Sequence, residues 1–177
     1  MTSLALLTLF TYSALPAQAV IKIEDIKAEN IFIATPNLRT LQGNAEENLM
    51  LGTDLDDTMH AEGDEDIIYS SDNNDKDFGG PGDDLIVAGA GDDFVKGDSG
   101  KDVLIGGVEN DVIQGGDGDD QIFGGAGDDL LEGNGGADAF DCGEGVDTIT
   151  DFSADQGDTK TPDCEIFEEN IPTGIVQ

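Results

Sequence analysis

Between Gly43 and Thr150 one apolar position returns every ninth residue. It holds Met50, Met59, Ile68, Ile86, Val95, Leu104, Ile113, Ile122, Leu131, Phe140 and Ile149, and only Asp77 breaks the series. A spacing of nine fits neither the 3.6-residue period of an amphipathic helix nor the long alternation of an ordinary strand. It fits a three-residue strand, x-apolar-x, whose middle side chain points inward. The residues before each strand are glycine-rich, as in Gly115-Gly116-Asp117-Gly118-Asp119-Asp120. Glycines at positions one, two and four of the unit permit positive φ and a tight turn. Turn, strand, turn, strand makes a flat coil of eighteen residues, and such a period marks a repeat architecture. The expected fold class is all-β, a parallel β-solenoid of about six 18-residue coils over residues 43–150. Short caps are expected at 20–42 and 151–177, because a solenoid needs its open end coils covered.

The second periodic position is acidic. Asp57, Asp66, Asp75, Asp84, Asp93, Asp102, Asp111, Asp120, Asp129, Asp138 and Asp147 follow one another in steps of nine. Parallel strands lie roughly 4.8 Å apart, and turns on one side recur every eighteen residues. Asp84 therefore stacks against Asp102, and Asp102 against Asp120. Carboxylates at that spacing, in a ring of bent backbone carbonyls, repel unless a cation lies between them. Hard oxygen donors in a flexible cage suit Ca2+, which takes six to eight oxygens at about 2.3–2.6 Å, better than Mg2+ with its smaller octahedron. Zinc or copper would want His or Cys, and the repeats offer only His60 and Cys142. All eleven aspartates are candidate metal ligands. Their nine same-side pairs, Asp57/Asp75 through Asp129/Asp147, set a ceiling of nine ions.

The spacing Gly-Gly-x-Gly-x-Asp-x-apolar-x is clearest at Gly79-Gly80-Pro81-Gly82-Asp83-Asp84-Leu85-Ile86-Val87. It resembles the RTX (hemolysin-type) calcium-binding nonapeptide repeat, a repeat that builds a parallel β-roll. The resemblance implies a right-handed roll loaded with several calcium ions per chain and an extracellular location. It also implies two roles: a surface structural or interaction module, or the accessory domain of a secreted hydrolase whose catalytic part lies elsewhere. The 23 residues between Val20 and Gln42 are too few for a catalytic domain, so no enzyme activity is expected of this chain. The Gly97-Asp98-Ser99-Gly100 stretch looks like a protease nucleophile loop but falls in repeat register, with no base or orienting residue beside it.

Charge sharpens this picture. Forty acidic residues against seven basic give −33, a field that excludes nucleic acid as a partner. Such acidity also suits a disordered chain, but disorder needs no nine-residue period. Residues 1–19 carry no charge, run apolar from Leu4 to Leu15 and end in Ala17-Gln18-Ala19, the pattern of a cleaved export signal. The run is too short to span a bilayer. Cys142 and Cys164, the only cysteines, are then expected to form a disulfide.

The units are uneven. Ser70–Phe78 has no glycine and puts Asp77 at the inward position, which predicts a distorted coil or bulge. The acids at position five, Asp83, Asp92, Asp119 and Asp128, are expected to form a solvated outer stripe. Positions seven and nine point outward, and on one sheet they are almost all apolar, Leu49/Leu51 through Val103/Ile105 among them. An apolar face of that extent marks an interaction surface. It is expected to be covered by the 20–42 segment, or by the same face of a second roll as a homodimer, or by a cell-surface partner.

Overall fold

The computed structural model describes residues 30–166. The expected export signal, the first residues of the 20–42 cap and the end of the tail lie outside them. In chain order the strands are β1 (Ile31–Ile33), β2 (Thr40–Asn44), β3 (Leu49–Leu51), β4 (Thr58–Glu62), β5 (Ile67–Asp72), β6 (Lys76–Pro81), β7 (Leu85–Ala90) and β8 (Phe94–Ser99). They continue as β9 (Val103–Val108), β10 (Val112–Asp117), β11 (Gln121–Ala126), β12 (Leu130–Gly135), β13 (Ala139–Glu144), β14 (Thr148–Ile149), β15 (Thr159–Lys160) and β16 (Glu165–Ile166). Odd-numbered strands form one eight-stranded parallel sheet and even-numbered strands the other. The molecule is thus an all-β solenoid of about seven turns with an 18-residue repeat, and among the described residues no helix is long and apolar enough to cross a membrane.

Register follows the period without slippage. Ile86 pairs with Leu104 and Leu104 with Ile122 in one sheet, Val95 with Ile113 and Ile113 with Leu131 in the other. These position-eight side chains are fully buried between the sheets, each contributing about 1.5–3 kcal/mol by leaving water. The central strands are six residues long, not three. They run from position seven through position three of the next unit, so position one also points inward. Ala61, Ala88 and Cys142 occupy that position and join the core.

Backbone conformation separates the roles of the glycines. In every unit from Ala61 onward, positions two and four have positive φ. Where glycine is missing the conformation persists, in Glu62, Asp64, Ser71, Asn73, Asp98, Glu109 and Asn134. Position-one glycines do not share it; they are small for a reason of space taken up below.

Two sequence expectations are corrected. The Ser70–Phe78 unit is a regular coil: β6 pairs with β4 and β8 in unbroken 18-residue register. Asp77 is tolerated in the core because Ser70, at the inward position one, donates its hydroxyl to Asp77 Oδ2. Burial pushes that carboxyl well above the usual range. The 20–42 segment, expected as a cover over the apolar face, instead lengthens each sheet by one strand in its described part, through β1 and β2. Ile31 thereby heads an aligned outer row with Leu49, Ile67, Leu85 and Val103. Leu49, Ile67 and Leu85 are at most 9 % exposed, while Leu130, at the same position on the other sheet, is 42 % exposed. The predicted asymmetry of the two faces is therefore present, concentrated in the N-terminal half.

The turn geometry can be tested with two alanines. Gly118 has φ 145° and an added Cβ would collide with the carbonyl oxygen of Gly100. Gly135 has ordinary φ, and the nearest atom to its Cβ would be 3.5 Å away. In calcium-saturated denaturant titrations Gly118→Ala should lose at least about 2 kcal/mol, from backbone strain and overlap together. Gly135→Ala should stay within about 0.5 kcal/mol of the parent. Equal effects would refute the positional assignment.

Candidate metal centre

The eleven periodic aspartates sit at the last position of the turn, just before each strand, and none is more than 3 % exposed. Alternation of turns between the two edges sorts them into two single-file columns. One runs Asp66, Asp84, Asp102, Asp120, Asp138; the other Asp57, Asp75, Asp93, Asp111, Asp129, Asp147. Each successive pair is joined by one bond: the backbone N–H of the lower residue donates to Oδ1 of the aspartate eighteen residues on. All nine same-side pairs have it, at 2.6–3.0 Å. The stacked carboxylates of the sequence reading are thus joined through the backbone, one oxygen of the upper residue of each pair being tied to the N–H of the lower. Asn48 stands at the head of the first column and bonds Asp66 through both its backbone and its side-chain amide.

The second oxygen is what remains. Oδ2 of Asp66, Asp75, Asp84, Asp93, Asp102, Asp111, Asp120, Asp129 and Asp147 is buried with no hydrogen-bond partner, as is Oδ1 of Asp57. A Cβ added to Gly79 would collide with Asp84 Oδ2 and lie 2.9 Å from the carbonyl oxygen of Gly97 in the next coil. The same convergence recurs at Gly97, Gly106, Gly115 and Gly124. Position-one glycine thus clears a cradle lined by one carboxylate and at least one backbone carbonyl. Ala61, Ser70, Ala88 and Cys142 put a side chain there, so the cradles of Asp66, Asp75, Asp93 and Asp147 are tighter.

This donor set suits a hard divalent cation. Buried carboxylates with an unpaired oxygen are costly unless neutralised, and all-oxygen donors favour calcium or magnesium over softer metals. Among the described residues no three His, Cys, Asp or Glu side chains cluster as a metal site by themselves. The columns explain this: each turn contributes one inward carboxylate, and backbone carbonyls must supply the rest. Cys142 is bonded to Cys164 in a disulfide, as expected, and His60 stacks on Phe78 at 4.5 Å.

Electrostatics records the strain. Burial, with a smaller push from column neighbours, raises Asp84 and Asp111 to about 8 and Asp75 and Asp102 to about 7. Burial raises Asp66, Asp93, Asp120 and Asp129 to about 6. Donated N–H bonds pull each value back down without cancelling the rise.

Three features escaped the sequence reading. The position-five acids are exposed as expected, yet they are ordered: Asp83, Asp92, Asp119 and Asp128 accept the N–H of Lys101, Asn110, Ala137 and Val146, each eighteen residues on. Asp151 accepts from the amides of Gly133 and Asn134. Asp158 and Glu165, outside the repeats, accept from the amides of Asp138 and Asp147. Asp158 lies off the nine-residue step, and Glu165 lies on it but is not an aspartate.

Comparison with known families matches residues 41–76, 78–113 and 114–149, which is 108 of the 177 residues, to the RTX calcium-binding nonapeptide repeat (4 copies). No curated protein and no solved structure matches the chain significantly.

The raised carboxyls fix a pH signature. Their unfolded value is near 3.9 and their folded values without metal are higher. Stability of the calcium-free roll is therefore fully present below about pH 4 and is lost as pH rises through 6 to 8. Binding a cation must displace the protons held in that window. Calorimetry in two buffers of different ionisation enthalpy should show proton release on calcium addition at pH 6.5 that fades above pH 9. Proton release independent of pH would contradict the burial argument.

Proposed function

The chain belongs to the RTX calcium-binding nonapeptide-repeat family and binds calcium, and we propose that it works as an exported module that folds when calcium enters the inter-coil cradles. The observation that carries this reading is the file of buried carboxylate oxygens without partners. Asp57 and the ten aspartates that follow it at nine-residue steps are the ligands, assisted by turn carbonyls such as that of Gly97. Calcium supplies positive charge and flexible oxygen coordination; the chain supplies register, dryness and spacing. Nine ions would reduce −33 to −15, removing much of the self-repulsion that otherwise opens the roll.

The uncharged N-terminal stretch ending in Ala17-Gln18-Ala19 supports export, and the disulfide supports an oxidising compartment. Extracellular calcium modules bind at about 10⁻⁴–10⁻³ M, so the roll forms where calcium is abundant and stays open inside the cell. The role of the repeats is structural or interactive: what they offer is stacked carboxylates and backbone carbonyls. The aligned residues beside the buried apolar row, Ile33, Leu51, Tyr69 and Val87, are the surface for a second copy or a cell-surface partner.

Circular dichroism and light scattering during a calcium titration of the mature chain test this directly. Cooperative gain of β-structure and compaction is expected, reversed by chelator. A chain fully β-structured in excess chelator at low salt and neutral pH would sink the proposal.

Position in the column sets the size of a mutational effect. Asp102 accepts the N–H of Asp84 and donates its own to Asp120, so Asp102→Ala should remove about two ions and leave a buried amide unpaired, at about 1–3 kcal/mol. Asp57 starts its column, and its Oδ2 is occupied by Thr53 N–H and hydroxyl donors. Asp57→Ala should remove one ion at most. Equal losses of stoichiometry and melting temperature would rule out shared ligands.

A further inference from the structure

The second carboxylate column does not stop with the last repeat. We propose that Glu165, in the non-repeat cap, completes one more calcium site with Asp147, and that the Cys142–Cys164 disulfide holds the two halves of that site together. The proposal rests on the calcium reading of the repeats.

Three observations converge on it. The bond that joins every pair in the columns is repeated here: Asp147 N–H donates to Glu165 Oε2 at 3.2 Å, again across eighteen residues. β16 pairs with β14 and Glu165 N–H donates to the Asp147 carbonyl at 3.1 Å; the register Thr148↔Glu165 is one residue short of the 18-residue step, so Glu165 enters at the first strand position, beside Thr148. Asp147 itself is 0 % exposed, with Oδ2 buried and unpartnered like the repeat aspartates before it. Glu165 is exposed, so this site opens to solvent and water completes its coordination.

The other column ends differently. Asp138 N–H donates to Asp158 Oδ1 at 3.1 Å, but across twenty residues, and Asp158 Oδ2 is already taken by Ser153 N–H at 2.7 Å. With both oxygens bonded to amides, Asp158 closes its column as a cap. The disulfide sits at the open end, where the Cys142 side chain also narrows the cradle of Asp147 and leaves its solvent side as the way in. Cys142 is position one of the unit that carries Asp147, and Cys164 directly precedes Glu165. Both sulfurs are buried, at 0 % and 6 % residue exposure.

Calcium stoichiometry of the full mature chain, measured by calorimetric titration and by metal analysis after gel filtration, separates these roles. Glu165→Gln should bind one ion fewer than the parent, and Glu165→Asp, which keeps a carboxylate, should recover it. Asp158→Asn should keep the ion count and lower the melting temperature, while the exposed control Asp155→Asn should change neither. The double variant Cys142→Ser/Cys164→Ser should weaken one ion at least tenfold. An unchanged count in Glu165→Gln, with a parent that binds calcium, overturns the site; unchanged affinities in the double variant overturn the clamp. A parent that binds no calcium overturns the reading of the repeats as well, and that outcome is distinct from the other two.

Discussion

The structure depends on how it disposes of eleven buried carboxylates. Nine of the eleven, all but Asp57 and Asp138, do two things with two oxygens. One accepts the backbone N–H of the coil below and sets the 18-residue stacking; the other is turned into a dry cradle beside backbone oxygen. The first interaction stabilises the roll unconditionally, at roughly 0.5–1.5 kcal/mol or more per bond. The second opposes it, because an ionised oxygen out of water carries a penalty of several kcal/mol. The core cannot absorb that penalty many times over, since it holds little more than one large apolar side chain per nine residues. On the proposed reading, folding is conditional on neutralisation, by protons in acid or by calcium at neutral pH. Conditionality of this kind comes from the ratio of carboxylates to core, not from any single site.

A second ladder runs outside the first and in the opposite sense. Inner aspartates accept from the coil below, whereas position-five acids accept from the coil above, as Asp83 does from Lys101 and Asp92 from Asn110. Each turn is thus held from both sides by carboxylates on adjacent positions. Only the lower partner of an outer bond needs an acceptor, which explains how Lys101, Ala137 and Val146 occupy position five without breaking the stack. Lys101 cannot accept, and there the side chain itself reaches Asp119. The outer stripe is solvated, as its exposure requires, and it is also part of the turn.

The period made most of this legible. A nine-residue spacing of one apolar and one acidic position sufficed for the solenoid, the two sheets and the stacked aspartates. Strand length was less legible, because position one is usually glycine and glycine does not announce which way it faces; only Ala61, Ser70, Ala88 and Cys142 show that it faces in. The purpose of that glycine was hidden for a similar reason. Its φ is ordinary, and the need for it appears only once Asp84 Oδ2 and the Gly97 carbonyl are placed around Gly79. Asp158 was invisible because its offset is twenty, and Glu165 because it is one methylene longer than the residue that defines the pattern. Ser70 and Asp77 misled because each looks like a defect alone. Together they form one hydrogen-bonded pair inside an undistorted coil.

The two ends of the roll are held by different forces. Four of the seven non-glycine residues with left-handed backbone, Glu62, Asp64, Ser71 and Asn73, fall in the two units from Ala61 to Phe78. The same units carry side chains at position one and place Asp77 in the core, so their cradles are poorer and their turns more strained, at about 1–3 kcal/mol per residue. Yet this is the region where Leu49, Ile67 and Leu85 are buried on the outer face, beside Ile31. From Gly79 to Gly127 position-one glycines are frequent, and beyond Ile105 the outer row becomes mixed, with Gln121 and then Asp141 among its residues. Apolar packing thus compensates strained turns at the N-terminal end, while the C-terminal end relies on ions and a disulfide. Removing calcium should accordingly not release all coils alike, because the N-terminal coils keep an adhesion that the C-terminal coils lack.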